Sequence, residues 1–166
     1  MSAPTQGHLR RLRRLARYLK GTPRMVVHYC WQEPQEKVRA FSDSDYAGCL
    51  KTAKSTSGGV LMVGEHYIKS WSSTQKTVAL STAEAELTAL VKCCCELIGI
   101  LQMAAEWDKP LRGEVFADSS AARGVVGRRG AGKLQHVRVG QLWVQEKAEN
   151  GALQFHKVRG DANVAD

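Results

Sequence analysis

At 166 residues and 43% hydrophobic, with 24 lysines and arginines against 16 acidic residues, the chain can bury one core and carries a formal charge of +8. That charge, with a pI near 9.4, favours a polyanionic partner, nucleic acid ahead of an anionic membrane, over an acidic or neutral one. No apolar run approaches the roughly 20 residues of a membrane span and the N-terminus lacks the apolar segment of a signal, so an intracellular protein is expected, cytoplasmic or nuclear and not secreted.

The chain opens with HLRRLRRLARYLKGT, residues 8–22. Leu9, Leu12, Leu15 and Leu19 recur at spacings of three and four among Arg10, Arg11, Arg13, Arg14, Arg17 and Lys20, which predicts an amphipathic basic helix stopped by Gly21 and Pro23. It is either a solvated face docked by its leucines or an arm on phosphates. A short β-branched run, Met25 to Tyr29, predicts a strand, and the polar break from Gln32 to Lys37 divides a basic segment, residues 1–35, from a main domain, residues 36–166.

In the main domain Val38, Ala40 and Phe41 lead a strand into Asp43. Gly58 to Val63 and Tyr67 to Trp71 are two more, joined by Gly64, Glu65 and His66 as a hairpin turn. From about Thr82 to Trp107 the pattern is helical, with Ala83, Leu87, Leu90, Val91, Cys94, Leu97, Ile98 and Leu101 on one stripe and Ser81 or Thr82 as cap. Cys93, Cys94 and Cys95 diverge around that helix. With Cys30 and Cys49 they lack the spacing of a zinc site, and they read as free thiols and small core residues.

A strand from Glu114 to Ala117 then runs into Asp118 and a short helix, SSAARGVV. GRRGAGK, residues 127–133, reads as a flexible basic loop: it lacks the Gly-Lys-Ser/Thr ending of a phosphate loop and does not follow a strand. A helix from about His136 to Glu149 stops at Asn150 and Gly151, and a last strand spans Ala152 to Val158. The order is βββ-α-β-α-β, an α/β fold with a mixed five-stranded sheet.

Asp43 and Asp118 each stand where an apolar strand ends, the place where open α/β sheets gather functional groups. Carboxylates side by side stay ionised only if a cation shares them, and oxygen ligands select magnesium or manganese. Singly, each also suits a strand end or helix cap, and Asp45 is a turn residue. Glu84 and Glu86 open the long helix about 200° apart, so both cannot face one site, and periodicity does not choose between them.

HLRRLRRLARYLKGT, FSDSDYAGC, KSTSGG, SWSSTQKTVALSTAEAEL, FADSSAA and VRGDANVAD occur in that order. Together they resemble the ribonuclease H domain of copia-type LTR retrotransposon Pol polyproteins, preceded by the end of the reverse transcriptase connection. The resemblance implies the ribonuclease H-like fold and, through AELTAL, picks Glu86 over Glu84. It implies a catalytic and metal-ligating set of Asp43, Glu86, Asp118 and Asp166 holding two Mg2+ ions, with Mn2+ as an alternative. The implied reaction is hydrolysis of the RNA strand of an RNA–DNA hybrid, by two ions roughly 4 Å apart that activate water and stabilise the departing 3′ oxygen. Lys54 and Lys76 become phosphate contacts. Ser81, Thr82 and Ser119 lie near the groove where 2′-hydroxyls distinguish RNA.

Three departures from that family stand in the sequence. VRGDAN carries no histidine before the last aspartate; His156 lies earlier, leaving the role absent or taken by Arg159. His136 occupies the place of a usual Lys-His-Ile sequence and reads as a helix-start residue. Asp166 is the final residue, so the expected final helix is truncated. These leave a second reading, a non-catalytic nucleic-acid-binding remnant of a retrotransposon polyprotein. The expected partners are an RNA–DNA hybrid and the reverse transcriptase portion of the same polyprotein, without a membrane.

Overall fold

The computed structural model describes residues 3–24, 26–130 and 141–166. It divides into two units, Met1–Trp31 and Gln32–Asp166. In the first, α1 (Gln6–Gly21) begins at Thr5, whose hydroxyl accepts the His8 amide at 3.3 Å while His8 Nδ1 accepts the Thr5 amide at 3.1 Å. This is a capping box with histidine in the place of the usual Glu or Gln. Its leucines are exposed, from 40% at Leu9 to 57% at Leu19. The strand expected over residues 25–29 is absent among the described residues: 26–30 have no regular structure and Val26 and Val27 are exposed. A β-branched run states a preference and becomes a strand only when another strand takes its backbone groups.

The second unit contains β1 (Lys37–Asp45), β2 (Thr56–Val63), β3 (His66–Thr74), α2 (Thr82–Glu106), β4 (Arg112–Ala117), α3 (Ser120–Val126), α4 (Trp143–Glu149) and β5 (Leu153–Lys157). The sheet order is β3-β2-β1-β4-β5. β1 to β3 form an antiparallel meander, whereas β4 lies parallel to β1, and β5 to β4. Parallel neighbours require crossovers, supplied by α2 and by the segment holding α3 and α4. The hairpin turn is only Gly64 and Glu65, since His66 already pairs with Val63. The helix expected from His136 is α4, which begins only at Trp143 with Leu142 as its N-cap; residues 136–140 of that expectation lie outside the described residues, as does the end of the basic loop.

One face of the sheet meets α2. Leu87, Leu90, Cys93, Cys94 and Leu97 are fully buried against Val38, Ala40, Leu61 and Val115, and Val125, Val144 and Leu153 close the cluster. Among the described residues α2 is long and apolar enough to cross a membrane, contrary to the expectation that no run approaches a span. Here its apolar stripe is buried against the sheet, which accounts for the same composition. Gly59, on β2, pairs with Trp71, and a Cβ there would sit 2.1 Å from the indole, so only glycine lets that ring lie flat on the strand. All five cysteines are free, with Cys93 and Cys94 in the core.

Candidate metal centre

The parallel register of β1 and β4 ends with Ser42 opposite Ala117. The next residues therefore stand side by side near the carboxyl ends of two adjacent strands: Asp43, still paired with Gly58 of β2, and Asp118, the first residue beyond β4. This is also where chain direction changes within the sheet, since β1 is antiparallel to β2 and parallel to β4. Beyond Asp118, Ser119 caps α3, its Oγ accepting the Ala122 amide at 3.2 Å.

The first turns of α2 supply the third acid. Ser81 caps the helix through its Oγ on the Glu84 amide at 3.2 Å. Glu84 turns back, Oε2 accepting the Leu80 amide at 2.8 Å. Glu86, on the opposite side, is buried at 8% exposure. Oxygens of Asp43, Glu86 and Asp118 all lie within 4.8 Å of one another.

Burial, and then the neighbouring Asp43, push the Glu86 carboxyl up to about 7, against the smaller opposing pull of Ser44. Asp43 is also raised, by burial first and then by Asp118 and Asp166. Among the described residues none of the three carboxylates has an ion-pair partner. A cluster of three acids without a cationic side chain fits a divalent ion, and an all-oxygen donor set fits magnesium or manganese better than zinc.

This has a measurable cost in the metal-free protein. Glu86 titrates near 4.5 in an unfolded chain and at about 7 in the folded one. Between those values the folded state holds a proton that the unfolded state releases, so the stabilisation is complete below pH 4.5 and is lost as pH rises through 7. With chelator present, thermal denaturation is expected to lose about 2 kcal/mol over that window, a shift of several degrees, after discounting for partial solvent access. Glu86→Gln should flatten the profile, and a melting temperature rising with pH in the unaltered chain but not in Glu86→Gln would contradict the assignment.

Asp166 is not brought into the three-acid group. It is exposed and lies close enough to Asp43 for its charge to act there. Of the other expected contacts, Ser81 and Ser119 are helix caps and Thr82 is an exposed first-turn residue. Lys76 is exposed and lines a cleft of about 710 Å³ with Ser57, Ser73, Thr88 and Lys92. Lys54 is half-buried in the β1–β2 loop, where its carbonyl accepts the Cys49 amide. Arg159 grips Asp161 with both prongs of its guanidinium, at 3.1 and 2.7 Å. His156 stacks on Phe116, which stacks on Phe41, so its ring belongs to the sheet surface.

Two residues that no sequence pattern singles out hold the site together. Gln75, buried at 5%, donates from Nε2 to Ser57 Oγ at 3.0 Å and to the Ala85 carbonyl at 2.9 Å, pinning the start of α2 to β2. Asn163, buried at 6%, donates to the Ser42 carbonyl at 3.1 Å. Gln75 is one amide within a polar run and Asn163 stands between Ala162 and Val164, and their only advance signal is that an amide can satisfy two backbone or hydroxyl groups at once.

No family model matches the chain. It is similar to the retrovirus-related Pol polyprotein from transposon RE1 of Arabidopsis thaliana, 29% identical over 170 residues, covering 100% of this chain and 12% of that protein. It is also similar to the Pol polyprotein from transposon TNT 1-94 of Nicotiana tabacum, 27% identical over 165 residues, covering 98% of this chain and 12% of that one. The chain thus spans about an eighth of the length of these relatives. Among solved structures, LC11-RNase H1 in complex with RNA/DNA hybrid superposes with a TM-score of 0.53 at 16% identity, over 77% of this chain and 89% of that one.

Proposed function

We propose that this chain, similar over its length to retrovirus-related Pol polyproteins of transposons and with the ribonuclease H fold, is a divalent-ion-dependent endonuclease of a copia-type Pol polyprotein that hydrolyses the RNA strand of RNA–DNA hybrids, working beside the reverse transcriptase portion of the polyprotein. The observation that carries this reading is the convergence of Asp43, Glu86 and Asp118 within 4.8 Å at the carboxyl ends of β1 and β4. The hybrid bound by LC11-RNase H1 supports the choice of substrate.

Asp43, Glu86 and Asp118 would hold magnesium or manganese, with Asp166 beside Asp43. When bound, such ions supply Lewis acidity, acidifying water and neutralising charge on the phosphate and the departing 3′ oxygen. The protein's own part is placement. Gln75 fixes the helix that carries Glu86, and the paired strands fix the two aspartates, so little reorganisation is left to the reaction. Ser81 and Ser119 use an oxygen lone pair to cap their helices, which leaves each O–H free to donate to a 2′-hydroxyl. The net charge of +8 draws the phosphates in.

The test is cleavage of an end-labelled RNA–DNA hybrid with magnesium, with manganese and with chelator, alongside duplex RNA and duplex DNA. Metal-dependent cutting of RNA in the hybrid alone is the expected result. Salt-sensitive binding without cutting under either ion would instead identify a non-catalytic binding module.

A further inference from the structure

The segment after β5 inverts the usual order of burial. Val164 is 53% exposed, while its polar neighbour Asn163 is only 6% exposed. An apolar side chain turned out and an amide turned in means that the amide's hydrogen bonds, and not apolar burial, set the orientation of this stretch.

Those bonds tie two places together. Asn163 Nδ2 donates to the carbonyl of Ser42, the residue before Asp43, at 3.1 Å, and Oδ1 accepts the Ala165 amide at 3.3 Å. The Asp166 amide in turn donates to the Asn163 carbonyl at 3.2 Å. The segment also needs room on β2: Gly58 pairs with Asp43, and a Cβ on it would lie 2.8 Å from the Ala165 carbonyl. Backbone cannot retreat as the tip of a side chain can, so that approach requires glycine.

We infer that Asn163 is a positioning residue: its side-chain amide, with the Ala165 carbonyl seated against Gly58, fastens the segment bearing Asp166 to the strand that carries Asp43 and so presents the fourth carboxylate to the metal centre. The influence of Asp166 on Asp43 agrees with this placement. The inference rests on the metal-centre reading above, not on cleavage of any substrate.

Its test is calorimetric titration of the full chain with Mn2+, without nucleic acid. Asn163→Ala and Asp166→Asn are each expected to weaken Mn2+ binding about tenfold, the scale on which partners of metal ligands act. The double variant should bind no more weakly than Asp166→Asn alone, because one change acts through the other. Gly58→Ala serves as an independent variant if Asn163→Ala fails to fold, with the same loss expected and the same absence of further loss on Asp166→Asn. Additive losses, or binding unchanged by both Asn163→Ala and Gly58→Ala, overturn the inference. If the unaltered chain binds no Mn2+, or Asp43→Asn binds it normally, the metal centre and the inference fall together. If Mn2+ binding follows the expected pattern while the hybrid is not cut, only the nuclease reading fails.

Discussion

Asp43→Asn should abolish metal-dependent cutting of the RNA–DNA hybrid and leave hybrid binding nearly intact. The substitution keeps the shape of a residue on a central strand, paired with Gly58 on one side and next to Asp118 on the other. It removes one of three clustered carboxylates. Losing an outer partner of a metal ligand costs about 10- to 100-fold in affinity or activity, so losing the carboxylate itself should exceed roughly 100-fold. Binding rests on lysines and arginines that the change does not touch, and its affinity should fall steeply with salt for the variant as for the unaltered chain. Single-turnover cleavage and salt-dependent binding, measured on the same preparations, separate the two effects. Unchanged cleavage would remove Asp43 from the site.

Glu86→Gln and Glu84→Gln should differ by at least about the same 100-fold in cleavage, although the two positions are only two apart. Glu86 is buried beside Asp43, and burial and that neighbour already hold its carboxyl at about 7. Glu84 accepts the Leu80 amide and supports the helix start. A glutamine at 84 retains an acceptor for that amide and should cost under about 1 kcal/mol of stability with cleavage preserved. Equal loss from both substitutions would mean that the helix start, and not the carboxylate at 86, is what the reaction needs.

This pair marks the limit of periodicity. A 3.6-residue repeat places Glu84 and Glu86 on opposite flanks of the apolar stripe and says nothing about which flank faces the sheet ends. The resemblance to copia-type domains picks Glu86, and in the fold Glu86 is the one beside Asp43. The strand over residues 25–29 failed for a related reason: a β-branched run states a preference, and a ladder needs a partner that composition cannot announce. Asn163 and Gln75 were invisible because the hydrogen bonds of a buried amide are made to groups far away in sequence, Asn163 to Ser42 and Gln75 to Ser57 and Ala85.

Local chemistry by itself determined a good deal. Alternation set β1 and the β2–β3 hairpin, one apolar stripe with Ser81 as cap set α2, and a short apolar run marked the end of β4 before Asp118; β1 instead runs two residues past Asp43, and Asp45, expected as a turn residue, pairs with Thr56 because β2 continues the ladder. These are properties of neighbours along the chain, governed by side-chain direction and backbone preference. Only the tertiary structure decided that the two aspartates emerge side by side, that Glu86 closes the group to within 4.8 Å, and that Asp166 stands next to Asp43 without joining the three. Those outcomes depend on parallel register across an insertion of some seventy residues and on two buried amides. Contacts of that range are selected by what the whole fold can bury and satisfy, not by any stretch of sequence read alone.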